Sequence, residues 1–439
     1  MLTKPRTFFA IHRFESKSYE DSAGKIEIRE PMVQSGRLGE HETFHFGWDE
    51  IDCLDLINQS IKVAKAQAGN APVVIYGAGA HTTQHWYLFS SLNIVAVADK
   101  NESLWGSFLK EKPVISPKQI SDYSNHVVIS SRAYEENIRD ELLKAYPTLT
   151  LFQLYGNDYM EKRLVLWANT LREKVLRFQP DLLVHTPTHV RENLPSQFFL
   201  ELKQQVPNMK ILTVWWDYDE TNIEAGYLEY ERQVLEYADL VIENSNGTRL
   251  ERMHRNEAPY CSHLNSEKVI FHPSWFDPSL FYNSGEERDI DIALFGSRVG
   301  ERGRWIDFLE DTYGDRFRHI GGVSGEHRNP IPISEYAALL RRTKVVVNTQ
   351  TYSFRSQCKG KVRETLQCGA ILMEEENSET PLAFPNDDSI LYFDSFEGLR
   401  DKIDTLIEHY SKYKQPRNEI NWVAWTEYLL ENLFGSENL

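Results

Sequence analysis

KVVVNTQTYSFRSQCKGKVRETLQCGAILM, running from Lys344 to Met373, is the stretch whose reading decides the fold. Val345, Val346 and Val347 read as a buried strand, and the polar, cationic residues after them as a loop. A short helix follows, stopped by Cys368-Gly369, and Ala370 to Met373 reads as a second apolar strand. Strand, loop, helix and strand within thirty residues are the repeat of a parallel α/β sheet. Lys359, Lys361 and Arg363 flank Glu364 where the loop becomes helix. Unpaired N–H groups and the macrodipole attract anions to such an end. Cations beside it suit a phosphate, and one carboxylate among them suits a sugar hydroxyl. The combination points to a nucleotide-sugar site.

Working outward, the same alternation extends both ways. Upstream, IDIALFGSRVGERGRWIDFLEDT reads as strand, glycine-containing loop and helix, FRHIGG as a short strand, and ISEYAALLRRT as a helix. Downstream come SILYF as a strand, FEGLRDKIDTLIEHYSKY as a helix and WVAWTEYLLENLF as a Trp-rich terminal helix. Asp277 to Asp289, DPSLFYNSGEERD, is polar and turn-rich and reads as an inter-domain linker. Before it lies another α/β series, with DLLVHTPTH, MKILTVWWDYDE, DLVIENS and KVIFHPSWF as strands. A long helix from Asn157 to about Gln179 leads into that series.

Pro72 to Gly156 forms a further series: VVIYGAGAH, NIVAVADK, HVVISS and TLTLFQLYG as strands, RAYEENIRDELLKAY as a helix. Gly77-Ala78-Gly79, followed about 20 residues later by Asp99 at a strand end, is a Rossmann pattern. Thr82 stands where the third glycine of the dinucleotide fingerprint belongs. That favours a structural or mononucleotide use of the turn over NAD, and makes a dehydrogenase the weakest of the enzymatic readings. Residues 1–69 read as a lead-in to this first domain, with FFAIHRF and IEIREPMV as strands and Trp48 to Ala66 as a helix. The expected boundaries are therefore 1–156, 157–282 and 283–439.

Composition narrows the function. A chain of 439 residues calls for two or three domains. A net charge of −17 argues against a nucleic-acid scaffold, which needs a broad cationic face. Cys53, Cys261, Cys358 and Cys368 lack metal spacing and read as free thiols of a reducing compartment. No apolar run has the length of a signal peptide or membrane span, so a soluble, cytoplasmic protein is expected. Docking against a membrane-bound acceptor stays open.

Three motifs carry a resemblance. Val362-Arg363-Glu364-Thr365-Leu366-Gln367-Cys368-Gly369-Ala370-Ile371-Leu372-Met373-Glu374 resembles the RxFExxACGxxLLxE signature of CgeB-like, spore-maturation-type glycosyltransferases. HPSWFDPSLF, His272 to Phe281, resembles their GVDPxxF crossover, and FGSRVGERGR their vGxxxxxRg loop. The resemblance covers roughly the last 260 residues and implies a GT-B pair of Rossmann-like domains with an additional N-terminal Rossmann-like domain. It implies transfer of a sugar from a nucleotide donor, UDP-linked by expectation, to a glycan, lipid-linked or protein hydroxyl. Glu364 would then hold ribose hydroxyls; Ser297, Arg298, Arg302, Lys361 and Arg363 would bind the donor. WWDYDE resembles the family's YWhDD stretch, which makes Asp217 or Asp219 the acceptor base, with His189, and beside it His185, as donor-facing histidines. No metal or cofactor is implied, because the acids Asp217, Asp219 and Glu220 lack a second, suitably spaced ligand pair. Ser356 stands eight positions before Glu364, where retaining enzymes of this fold carry another Glu. That departure leaves the stereochemistry open and keeps alive a competing reading: a nucleotide-sugar-binding or assembly protein without catalysis. Residues 72–156 also resemble Rossmann-like modules of sugar-modifying acetyltransferases and methyltransferases, through IYGAGAH, VAVADKN, Trp105-Gly106, PVISPKQI and VVISS. Such modules serve as nucleotide-sugar pockets or docking domains.

Overall fold

The computed structural model describes residues 4–13, 28–47, 51–131, 134–156, 158–186, 194–215, 227–244, 246–257, 266–272, 275–321, 331–352, 356–413 and 420–435. It forms three largely parallel sheets in two compact units, Met1–Gly47 with Leu171–Leu439, and Trp48–Thr170.

Residues 1–47 do not belong with the first module as expected. β1 (Thr7–Arg13) pairs in parallel with β2 (His41–Gly47) and with β9 (Leu182–Thr186). The reason is visible in β1 itself: Phe8, Phe9, Ala10 and Ile11 are all completely buried. A strand that apolar must sit inside a sheet covered on both faces. Arg29–Gln34, inside the expected strand IEIREPMV, is instead a helix, α1. Pro31 in its first turn replaces an N–H that has no intrahelical partner there.

The smaller unit opens with α2 (Ile51–Ala68), β3 (Pro72–Tyr76), α3 (Ala80–His85) and β4 (Asn93–Ala98). It continues with the hairpin β5 (Phe108–Leu109) and β6 (Lys112–Ile115), then α4 (Ile120–Tyr123) and β7 (His126–Ile129). α5 (Glu135–Ala145), β8 (Thr150–Gln153) and α6 (Tyr159–Phe178) follow, and the division between units falls inside α6. The strand order is β5-β6-β4-β3-β7-β8, so the chain reverses its direction of growth between β3 and β7.

In the larger unit, β10 (Lys210–Trp215), β11 (Leu240–Glu243) and β12 (Val269–Phe271) extend the first sheet to the order β12-β11-β10-β9-β1-β2. Helices α7 (Ser196–Gln205), α8 (Tyr227–Tyr237) and α9 (Gly247–His254) connect these strands. The second sheet comprises β13 (Ile290–Phe295), β14 (Phe317–Ile320), β15 (Thr343–Asn348), β16 (Ile371–Glu375) and β17 (Ile390–Phe393), ordered β14-β13-β15-β16-β17. Alternate residues serve its two faces. Ala293, Val346 and Leu372 pack under α11 (Ile333–Arg342) and α12 (Gly360–Gln367); Leu294, Val347 and Met373 pack under α10 (Glu301–Tyr313) and α14 (Phe396–Glu408). α13 (Glu379–Ala383) is a short helix after β16.

The Trp-rich final helix α15 (Trp422–Phe434) returns to the first sheet, where Trp425, Leu429 and Leu430 pack with Phe9, Ile11 and Met32. Burying three such side chains contributes about 1.5–3 kcal/mol each. The expected linker Asp277 to Asp289 has no regular structure, yet Phe276 and Phe281 beside and within it are completely buried, so it is anchored. Two Rossmann-like sheets in one unit, tied by a returning helix, match the expected GT-B pairing, and the third sheet matches the expected additional module.

Candidate functional site

The turn after β13 brings cations together. Gly296 has φ of 136°, a left-handed conformation natural only to glycine, and a Cβ there would stand 2.9 Å from both Arg302 Nη1 and Lys361 Nζ. The glycine therefore lets two cations, from the start of α10 and the start of α12, approach one turn of backbone. Arg302 is nearly buried and donates to Ser297 O (3.2 Å), Thr349 Oγ1 (3.3 Å) and Thr351 Oγ1 (2.7 Å). Among the described residues it has no carboxylate at ion-pairing distance, and burial lowers its pKa. Lys361 donates to Phe295 O. Lys359 donates to Thr349 O (2.8 Å) and to the same Thr351 Oγ1 (3.1 Å). Arg302 and Lys361 thus meet at the Gly296 turn, and Lys359 is tied to Arg302 through the shared Thr351 hydroxyl, a polar cluster at the carboxyl ends of β13 and β15, where parallel sheets bind ligands. Gathering like charges carries a repulsive cost, met in part by the neighbouring Glu375 carboxylate, whose charge acts on both Arg302 and Lys359.

Of the expected donor residues, Ser297, Arg302 and Lys361 are brought together; three others are not. Arg298 ion-pairs with Asp307 and Glu310 on the outer face of α10. Two nearby carboxylates one and two turns into that helix out-compete the pocket for its guanidinium. Arg363 lies two residues from Lys361 and therefore faces another way round the helix. Its guanidinium stacks 5.4 Å from the Phe384 ring, its Nε has no hydrogen-bond partner, and burial lowers its pKa to about 10. Glu364 is almost completely buried and accepts a 2.6 Å bond from Tyr336 on α11. Its carboxylate ties α12 to α11. His185 lies within β9, buried against Phe199, and burial lowers its pKa to about 3. Asp217, Asp219, Glu220 and His189 lie outside the described residues.

Residues that sequence reasoning passed over complete the pocket. Thr349 and Thr351 supply the oxygens that orient Arg302 and Lys359. Glu375 accepts from the Gln350 backbone N–H at 2.6 Å and so fixes the loop carrying both threonines. Behind it Glu374, fully buried, accepts from Asn348 (2.7 Å), Asn377 (3.0 Å) and Thr380 (3.1 Å); burial outweighs these bonds and raises its pKa to about 7. The signal for this pair was the run of three glutamates after an apolar strand, too polar for an ordinary strand end. Ser356 joins the neighbouring elements: its Oγ lies 3.1 Å from Ser378 Oγ and its carbonyl accepts from Asn246 at 3.3 Å. Glu379 likewise accepts from the Thr248 N–H at 3.1 Å, at the N-terminus of α9 on the other sheet. Below that point Arg249 is buried between Glu231 and Glu243, a paired charge cluster that fixes α9. Among the described residues no group of three or more metal-ligating side chains is gathered, and no helix is long and apolar enough to cross a membrane.

Comparison with known proteins follows these boundaries. Residues 286–420 match a family model described as glycosyl transferase-like, and residues 69–146 match one described as C2185-like, N-terminal. The sheet of β13 to β17 is thus similar to a glycosyltransferase domain. No curated relative matches the chain. Among solved structures, Anabaena HepE in complex with UDP and glucose is 12% identical, with 97% of this chain and 95% of that chain covered at a TM-score of 0.39. The starch synthase IV catalytic domain of Arabidopsis thaliana, bound to ADP and acarbose, is 10% identical, with 84% and 97% covered at 0.39. UDP-GlcNAc 2-epimerase of Neisseria meningitidis, bound to UDP-GlcNAc, is 10% identical, with 82% and 98% covered at 0.39. Overlaps this loose say nothing of what this chain binds.

Proposed function

We propose that the chain is a glycosyltransferase that takes a sugar from a nucleoside diphosphate donor, UDP-linked, and passes it to a hydroxyl of a glycan, a lipid-linked sugar or a protein. The observation that carries the reading is the convergence of Arg302 and Lys361 on Gly296, with Lys359 joined to Arg302 through Thr351, within the glycosyl transferase-like region. In the transfer the bond from the sugar's anomeric carbon to the diphosphate oxygen breaks and a bond to the acceptor oxygen forms. The acceptor proton leaves to a carboxylate, for which Asp217 and Asp219 are the sequence candidates. The departing diphosphate carries the developing charge, and three cations already aimed at it need no reorganisation as it leaves. In this scheme the cations meet the leaving-group charge, and the nucleotide-sugar is a substrate, not a cofactor. Glu364 enters as the residue that docks α12 on α11, so that Lys361 stays beside Arg302.

Calorimetric titration of the wild-type chain with UDP and a donor-hydrolysis assay test this together. Arg302→Ala is expected to weaken UDP binding roughly 100-fold, the loss of about 2–3 kcal/mol expected for a charge-assisted contact. UDP binding without donor turnover would select the non-catalytic, nucleotide-sugar-binding alternative. Wild-type affinity in Arg302→Ala would remove the pocket from the site.

A further inference from the structure

The module of β3 to β8 carries a second cleft, of about 470 Å³, at the point where its chain reverses between β3 and β7. Open α/β sheets bind ligands at such points, and the volume is in the range of small-molecule sites. The polar groups around it decide the ligand class.

Anions are poorly served. The Gly77-Ala78-Gly79 turn would ordinarily present its N–H groups to a phosphate. Here the Asp99 carboxylate reaches back from the end of β4 and accepts from the Ala78 N–H at 2.6 Å. The turn is held in that shape by Thr82, whose buried hydroxyl donates to Gly77 O at 2.5 Å. A second amide cradle on the same edge of the sheet, after β8, is filled in the same way. Glu135 accepts from the N–H groups of Leu154 (2.5 Å), Tyr155 (3.0 Å) and Gly156 (2.8 Å). Among the described residues lining the cleft, Lys100 is the only cation, and it is ion-paired with Glu141. His81 is neutral: burial lowers its pKa to about 4, and its ring bridges Ser130 Oγ (2.9 Å) and Tyr155 OH (2.5 Å). Among the described residues, a phosphate entering would meet two carboxylates and no unengaged cation.

What remains suits hydroxyl groups. Asp99 and Glu141 keep acceptor lone pairs, the exposed Asn137 amide makes no side-chain hydrogen bond among the described residues, and Ser131 also lines the wall. Tyr134 stands at the rim with 65% of its surface exposed, an aromatic face for the apolar side of a sugar ring. We infer that this cleft is a binding site for a neutral saccharide, so that the module reads carbohydrate and not nucleotide. The inference stands apart from the donor site, because every residue it uses lies within residues 48–170.

Saturation-transfer NMR on the full chain tests it, with methyl α-D-glucopyranoside, methyl α-D-galactopyranoside and N-acetylglucosamine as probes and UMP as the counter-probe. At least one saccharide is expected to receive saturation, both with UDP in excess and in Arg302→Ala, which separates the cleft from the donor pocket. Tyr134→Ala and Asn137→Ala are expected to weaken that saccharide fivefold or more while leaving UDP titration and thermal unfolding at wild-type values. The inference is overturned if no saccharide receives saturation, if UDP or Arg302→Ala abolishes the signal, or if both module variants bind saccharide like the wild type. Loss of UMP binding in the module variants would equally overturn it, in favour of a nucleotide site.

Discussion

Two glycine turns in this chain occupy the same structural position and have opposite chemistry. Each follows a parallel strand, β13 at Gly296 and β3 at Gly77, and each glycine has a left-handed φ, 136° and 110°. At Gly296 the chain places Arg302 and Lys361, with Lys359 tied to Arg302 through Thr351; around Gly77 it places Asp99, Thr82 and a neutral His81. The backbone turn is common to both, so it does not by itself select a phosphate. Selection lies in the side chains that fill or guard the turn, which here gather cations at one turn and place a carboxylate against the other.

Adding one methyl group to each glycine is the strongest way to break the comparison. In Gly296→Ala the new Cβ meets the tips of Arg302 and Lys361 at 2.9 Å, and both are long side chains that can swing away. The fold yields cheaply apart from the backbone strain, roughly 1–2 kcal/mol, but the cations leave their places. UDP affinity is expected to fall about tenfold or more with a modest drop in Tm. In Gly77→Ala the Cβ meets the backbone oxygen of Ser130 at 2.9 Å, which belongs to the loop after the central strand β7 and has nowhere to go. Stability is expected to fall by roughly 2–4 kcal/mol, with the UDP affinity of the folded protein unchanged. Calorimetric titration beside thermal unfolding reads both, and an interchange of the two outcomes would show that the anion seat lies in the module.

That contrast also marks how far the sequence is legible. The alternation of strand and helix, the place of each sheet and the cationic character of the stretch from Lys344 to Met373 follow from local pattern, because periodicity and charge are local properties. The sheet partner of β1 does not: FFAI announces a central strand, but its neighbour β9 is set by tertiary packing across a whole inserted module. Likewise Lys361 and Arg363 look equivalent in sequence, and only the helical turn between them sends one to Gly296 and the other to Phe384. Glu364 fits a signature and is claimed by Tyr336 all the same. Thr82 shows the reverse case: it departs from a motif, and its hydroxyl donates to the Gly77 carbonyl of the turn itself.

The two regions also hold their buried carboxylates differently, which gives a prediction of intermediate size. Glu135 in the module rests on three backbone N–H groups, whereas Glu374 beside the donor loop rests on two side-chain amides and a hydroxyl. Burial raises the Glu374 pKa from the ordinary 4.5 to about 7, so the folded state keeps a proton that the unfolded chain releases earlier. The resulting stabilisation is complete below about pH 4.5 and is lost as pH rises to about 7, a change on the order of 3 kcal/mol. Glu374→Gln keeps the shape and stays uncharged, and with the Asn348 amide turned over its N–H donates to Asn348 Oδ1, which is otherwise buried without a partner. Denaturant midpoints between pH 5 and 8 are expected to fall in the wild type and to fall less in the variant, with the variant the more stable at pH 8. Parallel curves would show that Glu374 is ionised in the folded protein throughout.

The smallest effect is expected at Arg298, and it defines the edge of the donor turn. The residue stands one position from Ser297 and four from Arg302, and by sequence it belongs to the same loop. Its guanidinium is nevertheless held by Asp307 and Glu310, partners that are themselves largely exposed to water. Exposed pairs of this kind contribute about 0–1 kcal/mol. Arg298→Ala is accordingly expected to leave UDP affinity within about twofold of wild type and to lower Tm by a degree or two. A tenfold loss of affinity would mean that a bound diphosphate draws Arg298 off the helix surface, and the cluster around Gly296 would then count four cations instead of three.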